Sequence, residues 1–363
     1  MLDRKILKEI DVTTILLMVA ISITGIIFVY SAIYYQGSQY VWKQITWLLL
    51  CLVVLLISLM IDYKLYLSIS LPLYIFMNLL LLGLLIFGKK IANTRSWIVL
   101  GPFQVQPSEL TKLVVILVLA RIFSEYKEDL MSLKAFLLST LVVALPATLT
   151  ALQPDLGTAL TYLPILVSTY ILAGIKKKHL AVILIAMLVI GLVGWNYGLK
   201  DYQKQRIETL LTPDQDPRGA GYQLRQSKIA IGSGGLTGKG YRKGTQSQLR
   251  FLPARHTDFI MAVMAEEVGF LGLIIVFSLY FLLLYRLFSS AWVSADRAGV
   301  YLAFLAAMLI GCQFLINVMM LVGLFPITGI PVPLISYGGS SLLTSFLACS
   351  LAINVRMRRF SFI

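Results

Sequence analysis

The sequence is poor in charge, and most of the charge that it has is positive. Only 13% of its 363 residues are Asp, Glu, Lys or Arg, against roughly 25% in a typical soluble domain. Acidic residues are the scarcer kind, with 17 Asp and Glu against 31 Lys and Arg, while hydrophobic residues make up 58% of the chain. This composition excludes an ordinary soluble protein and indicates an integral membrane protein.

Cysteine and histidine are also rare, with three cysteines and two histidines. Cys51, Cys312 and Cys349 all lie within apolar runs and have neither metal-type nor redox-type spacing. These positions argue against a disulfide framework and against a zinc site. The cysteines are expected to be small residues packed in the core or facing lipid.

Apolar runs recur along the chain, each close to the roughly 20 helical residues that cross a hydrocarbon core. Because backbone polar groups in lipid must be paired within the protein, runs of this length predict helices and exclude barrel strands. We predict an all-α polytopic membrane bundle that forms one domain over residues 1–363. The ten predicted spans are 12–33, 45–61, 68–88, 107–123, 133–152, 156–174, 179–199, 258–285, 299–322 and 338–355.

The short connections predict the orientation of these spans. With the N-terminus inside, ten spans return the C-terminus inside, and fifteen of the 31 basic residues then lie on the inner side. This excess is the pattern expected of cytoplasmic connections. Both termini are therefore predicted to be cytoplasmic.

The one long connection, 200–257, lies outside in this topology and is nevertheless basic. It holds eleven Lys and Arg against four acids, which is half of the formal net charge of +14. Contact with anionic lipid headgroups is one explanation. The other is an anionic substrate, such as a diphosphate, bound by cationic side chains and by the backbone of the glycine-rich part, 219–244. Nucleic acid fits this location poorly.

Acidic residues mark the outer ends of three predicted helices. Glu109 and Lys112 are three residues apart and can form an ion pair, Asp155 begins the sixth span, and Asp258 begins the eighth. A structural role is open for each of them, as an ion pair or as a helix N-cap. Their convergence on one face of the membrane is the informative feature. Glu266 and Glu267 lie deeper in the eighth span, where carboxylates need partners.

Several motifs together identify a family. The segments QPSELTKL, QPDLGTAL, QSKIAIGSGGLTGKG, GTQSQLRFLPARHTDFIMAVMAEEVGFLG and PVPLISYGGSS, in this order and spacing, resemble the SEDS proteins (shape, elongation, division and sporulation). The form GTQSQLRFLP is closer to RodA, the elongation member, than to the septal FtsW. One departure is Ala254, where many relatives have an acid.

The resemblance implies ten membrane helices, one large extracytoplasmic loop and a place in the bacterial cytoplasmic membrane. It also implies a peptidoglycan glycosyltransferase that polymerises lipid II, together with a class B penicillin-binding protein and other membrane proteins of the elongation complex. Asp258 would match the essential aspartate and proposed catalytic base, Glu109 and Lys112 the functional ion pair, and Asp155 another sensitive acid.

The chemistry of that reaction assigns further candidate residues. A sugar hydroxyl needs one carboxylate base, which is Asp258, and a single displacement inverts the anomeric centre. A diphosphate leaving group needs positive charge, from a divalent cation (Mg²⁺ or Mn²⁺) or from basic side chains. The candidates for binding the diphosphate are Arg206, Lys228, Lys239 and Arg255. Ser336 belongs to a donor-rich cavity wall, and His256 would orient the base or lie on the surface.

Two other functions stay open at this point. A flippase or transporter of lipid-linked precursors also uses intramembrane acids, but it is expected to need them near mid-membrane. A scaffold without catalysis would tolerate substitution of Asp258 and Glu109. A septal, FtsW-type role or a sporulation role is a further alternative within the family.

Overall fold

The computed structural model describes residues 9–34, 37–88, 90, 94–101, 103–126, 131–176, 178–179, 181–182, 185, 195–196, 201–212, 216 and 219–360. Helices dominate this part of the chain, with one short hairpin. The helices are α1 Val12–Ile33, α2 Gln39–Met60, α3 Tyr63–Ser68, α4 Ser70–Phe87, α5 Pro107–Ser124, α6 Leu133–Leu152, α7 Leu156–Leu160, α8 Tyr162–Leu172, α9 Asp201–Leu211, α10 Ala220–Gly234, α11 Thr245–Gln248, α12 Ile260–Trp292, α13 Arg297–Val322 and α14 Gly339–Met357.

Seven of these helices are long and apolar enough to cross a membrane, namely α1, α2, α4, α6, α12, α13 and α14. Predicted span 107–123 corresponds to α5, and predicted span 156–174 is divided into α7 and α8 at Thr161. Predicted span 179–199 lies mostly outside the described residues. The chain is thus a multi-pass membrane protein with a helical bundle fold.

Helix α14 lies at the centre of the bundle. In its most apolar stretch 83% of the residues are buried, against 22% for the peripheral helix α4. It packs against α2 and α13, and α13 in turn packs against α5 and α12. The centre of the bundle therefore joins helices that are distant in sequence, α2 with α14 and α5 with α13.

A small β-hairpin lies between α4 and α5. Strand β1, Ile98–Leu100, pairs antiparallel with β2, Phe103–Val105, in the register Ile98 to Val105. Gly101 has a positive φ of 60° in the turn, which glycine adopts without steric cost. Strand β2 packs against α14 and leads directly into α5.

The outer segment 200–257 has more helix than its glycine content predicted. Gly221, Gly232 and Gly234 belong to helix α10, and only Gly235, Gly238 and Gly240 of this glycine-rich stretch have positive φ. The first half of the glycine-rich part, 219–244, is therefore helical, and the positive-φ glycines follow it. A buried face at Leu224, Ser227 and Ala230 explains the helix, because packing outweighs the low intrinsic helix propensity of glycine.

Helix α12 is broken at Gly269, where φ is 65° and ψ is −164°. Segment 235–240 fills the break. The amides of Phe270 and Leu271 donate to the carbonyls of Gly235 and Leu236, at 2.9 and 3.0 Å, while those of Lys239 and Gly240 donate to Glu266 and Glu267, both at 2.9 Å. A Cβ on Gly269 would lie 2.3 Å from the Gly238 nitrogen, so only glycine fits this contact.

Candidate active site

The bundle contains a cavity of about 1050 Å³, which lies where several helix ends and loops meet. Its walls come from the ends of α4 and α6, the start of α7, helix α9 and the loops before α12 and α14. The polar and charged residues that line it are Lys90, Thr94, Arg95, Gln106, Asp155, Thr158, Arg206, Thr257, Asp258, Thr328, Tyr337, Ser340 and Ser341. Of the four residues predicted to converge, Asp155 and Asp258 line this cavity, and Glu109 and Lys112 do not.

Asp258 lies in a tight turn before α12. The amides of Thr257 and Phe259 both donate to the carbonyl of Ala254, at 3.1 and 3.3 Å, and α12 begins only at Ile260 without a side-chain cap. The expectation that Asp258 opens or caps this helix was therefore wrong, because the turn brings its side chain to the cavity. A Cβ built on Gly329 would lie 3.5 Å from Asp258 Oδ2, so the glycine leaves room beside the carboxylate.

The cavity changes the acidity of Asp258. Burial raises the pKa of its carboxyl to about 6, against the smaller opposing effects of a hydrogen bond from Thr257 and of the Arg206 cation. The carboxylate is then mostly ionised at neutral pH and still basic enough to accept a proton. Such a value is suited to a general base.

Asp155 caps helix α7 and faces the same cavity. Its Oδ1 accepts a hydrogen bond from the Thr158 amide at 3.2 Å, and its Oδ2 accepts from Gln106 Nε2 at 2.6 Å. Burial raises the pKa of Asp155 as well. The N-cap role considered for this residue is confirmed, and Gln106 links it to the start of α5.

Glu109 and Lys112 form the predicted ion pair within the first turns of α5. Glu109 Oε1 lies 2.7 Å from Lys112 Nζ, and both side chains are buried on α5. On the same helix, the Ser108 carbonyl accepts a hydrogen bond from the Tyr162 hydroxyl of α8, at 2.9 Å. The pair therefore lies where α5 packs against α8.

The two glutamates of α12 fix the outer segment. Glu266 accepts from Lys239 Nζ at 2.8 Å and from the amides of Gln246 and Ser247 at 2.9 and 3.3 Å. Glu267 Oε1 accepts from the Ser31 hydroxyl at 2.5 Å. The expectation that buried carboxylates here have partners is confirmed.

The structure separates the four basic residues chosen as diphosphate ligands. Arg206, on α9, lines the cavity. Lys228 lies against Gly323 at the end of α13, Lys239 pairs with Glu266, and buried Arg255 donates its Nε to the Ala32 carbonyl at 2.5 Å. These three do not line the cavity in this structure.

Sequence reasoning missed Lys90 and Arg95, which line the cavity from the connection after α4. Arg95 Nη1 donates to the Leu85 carbonyl at 2.9 Å, which holds the guanidinium end of its side chain against α4. Both residues belong to a short connection predicted to lie outside, where basic residues are uncommon. Basic residues in a short outer connection were therefore the feature of the sequence that could have identified Lys90 and Arg95.

His256 and Ser336 contribute to the support of the Asp258 turn. The His256 ring packs between Tyr40 and Tyr337, with centroids at 5.4 and 5.6 Å, and burial lowers the pKa of this histidine. Ser336 is buried and donates to the Thr257 carbonyl at 2.6 Å. The His256 ring therefore packs the Asp258 turn against Tyr40 and Tyr337, and Ser336, which does not line the cavity, bonds to the main chain of that turn.

Comparison with known proteins decides the family. Residues 11–360 match the family model of the cell cycle proteins FtsW, RodA and SpoVE. The chain belongs to the SEDS family, as a RodA-type member. Peptidoglycan glycosyltransferase MrdB of Escherichia coli strain K12 is 35% identical over 97% of this SEDS chain and 94% of its own.

Two solved structures share the fold of this SEDS protein. The first is described as "Structural coordination of polymerization and crosslinking by a peptidoglycan synthase complex", with a TM-score of 0.82 and 32% identity over 97% of this chain and 98% of the other. The second is Thermus thermophilus rod shape determining protein RodA, with a TM-score of 0.73 and 29% identity over the same shares.

A divalent cation would need ligands from the side chains of this SEDS protein or from its substrate. Within the described residues there is no group of three or more His, Cys, Asp or Glu that could hold a metal ion. Mg²⁺ is commonly held by one or two carboxylates together with substrate phosphates. A Mg²⁺ or Mn²⁺ ion that arrives with a diphosphate therefore stays a proposal.

Proposed function

We propose that this SEDS protein is a peptidoglycan glycosyltransferase that polymerises glycan strands from lipid II at the outer face of the bacterial cytoplasmic membrane. The observation that carries the proposal is the cavity that joins Asp258 to Lys90, Arg95 and Arg206. One carboxylate base beside several cations is what transfer of a sugar from a lipid diphosphate requires. The related peptidoglycan glycosyltransferase MrdB supports the same reaction class.

Asp258 is the proposed base. The C4 hydroxyl of the acceptor sugar attacks the anomeric carbon of the donor, and its proton passes to the Asp258 carboxylate. The bond between the anomeric carbon and the diphosphate oxygen breaks, and the lipid diphosphate leaves. A single displacement of this kind inverts the anomeric centre and needs no second carboxylate.

The cations stabilise the leaving group. Charge develops on the diphosphate as the anomeric bond breaks, and positive side chains already held in the cavity stabilise that charge. Arg206 acts on the Asp258 carboxyl as well, since its charge lowers the pKa of that group. Lys90 and Arg95 replace Lys228, Lys239 and Arg255 in our assignment because they line the cavity.

A class B penicillin-binding protein is the proposed partner, and elongation-complex membrane proteins are further ones. The solved structure of a synthase that couples polymerisation and crosslinking, which shares this fold, supports a partner that cross-links the strands. We assign the protein to cell elongation, with both termini cytoplasmic. Expression in rod-shaped cells depleted of either their elongation or their septal polymerase tests this role, since only the elongation defect is expected to be corrected.

The test of the reaction is polymerisation of purified lipid II by the full chain in detergent, with and without the partner. Wild type is expected to form polymer, and Asp258→Asn is expected to lose roughly 10² to 10⁴ of the rate. Glu208→Gln, on α9 and not lining the cavity, is the matched control for loss of an outer carboxylate. Full polymerisation by a folded Asp258→Asn variant would contradict the proposal.

A further inference from the structure

The turn that holds Asp258 is fixed by hydrogen bonds that other segments donate to its main-chain carbonyls. Three successive carbonyls, those of His256, Thr257 and Asp258, precede the first hydrogen bonds of α12, which begin at the Phe259 carbonyl. Buried carbonyls without a partner are costly. All three accept hydrogen bonds from residues of α13 or of the loop between α13 and α14.

Asn317 supplies the bond to Asp258 itself. Its side chain is fully buried on α13, and Nδ2 donates to the Asp258 carbonyl at 2.8 Å and to the Ile330 carbonyl at 2.7 Å. Carbonyl oxygens only accept hydrogen bonds, so both protons of the amide are used and its orientation is fixed. One side chain thus joins two loops of the cavity wall.

Ser336 supplies the bond to the preceding carbonyl. Its hydroxyl donates to Thr257 O at 2.6 Å and accepts from the Val332 amide at 2.8 Å. The Tyr337 amide completes the set by donating to His256 O at 3.0 Å. None of these groups touches the Asp258 carboxylate, which is left available to the cavity.

We propose that Asn317 and Ser336 are positioning residues, which hold the Asp258 main chain so that its carboxylate meets the acceptor hydroxyl. The inference rests on the proposed function and extends it to residues that contact no substrate. Loop 323–338 also brings Gly329 beside the carboxylate, so the same bonds set the space around it. A base displaced by about 1 Å can lose on the order of 100-fold in rate.

The experiment measures kcat and KM for lipid II polymerisation, together with thermal unfolding, in variants of the full chain. Asn317→Asp has the same shape but places an acceptor oxygen against both carbonyls. We expect its kcat to fall on the order of 100-fold with little change in KM, because the cations that face the diphosphate belong to other elements. Gln313→Leu is the matched control, since Gln313 is a buried amide one turn earlier on α13.

A second pair of variants separates positioning from folding. Ser336→Ala removes both hydrogen bonds, whereas Ser336→Thr keeps the hydroxyl, so kcat is expected to fall in the first and to be largely restored in the second. Equal kcat values for the two, or a rise in KM without a fall in kcat, would overturn the inference. If wild type itself forms no polymer, it is the proposed function that fails, and the inference fails with it.

Discussion

The pH dependence of polymerisation follows from the position of Asp258. Since burial raises the pKa of this carboxyl to about 6, kcat/KM should rise with pH through that value and then level off. The base acts only when ionised, so kcat/KM at pH 5 should be about tenfold lower than at pH 8 for a single ionisation. Initial rates from lipid II at low substrate concentration measure this quantity.

Arg206 gives the profile a second, independent test. Its cation favours the ionised carboxylate and lowers the pKa of Asp258, so Arg206→Gln should move the rising limb to higher pH. The variant should therefore lose more activity, relative to wild type, at pH 6 than at pH 8. Lys204→Gln removes a charge from the same helix without touching the cavity wall and should leave the limb in place.

Two results would refute this reasoning. One is a kcat/KM that does not change between pH 5 and pH 8 while the protein stays folded. The other is a limb that disappears in Asp155→Asn, because burial also raises the pKa of Asp155 and that residue would then be the titrating group. An Asp155→Asn variant with reduced activity but an unshifted limb agrees with its role as a helix cap.

Three further predictions concern the surroundings of the site. Glu109→Gln should destabilise the protein by roughly 3–5 kcal/mol because it leaves a buried cation unpaired, and adding Lys112→Met should recover much of the loss in thermal unfolding. Glu266→Ala removes the acceptor of two backbone amides, so limited proteolysis should cut the outer segment faster than in wild type. Lys90→Gln should raise KM for lipid II by a factor that shrinks as salt is added, since salt screens exposed charges.

Local spacing predicted some of this site correctly. The three-residue interval between Glu109 and Lys112 places them on one helix face, and the helix after Asp155 makes that residue an N-cap. The number and direction of the apolar runs brought Asp155 and Asp258 to the same end of the bundle. These features depend on periodicity and on short-range geometry, which a sequence contains.

The remaining features depend on how distant segments fold back on one another. Lys239 and Arg255 belong to a basic segment, yet one pairs with Glu266 and the other with the Ala32 carbonyl, and no local pattern contains those contacts. Lys90 lines the cavity only because the connection after α4 folds to the same cavity as α9 and the turn before α12. The sequence indicates Asn317 only weakly. It is an amide within an apolar helix, where a polar side chain is costly unless it has hydrogen-bond partners.

The break at Gly269 has a consequence for the synthesis of the protein in the membrane. The open carbonyls and amides of α12 are completed by segment 235–240, which precedes the helix in the chain. Synthesis from the N-terminus delivers that segment first, and in the proposed topology it is already outside when α12 enters the bilayer. Because of this order, the backbone groups at the break in α12 can be paired as soon as the helix enters the bilayer. A permuted chain in which 235–240 is synthesised last should insert poorly.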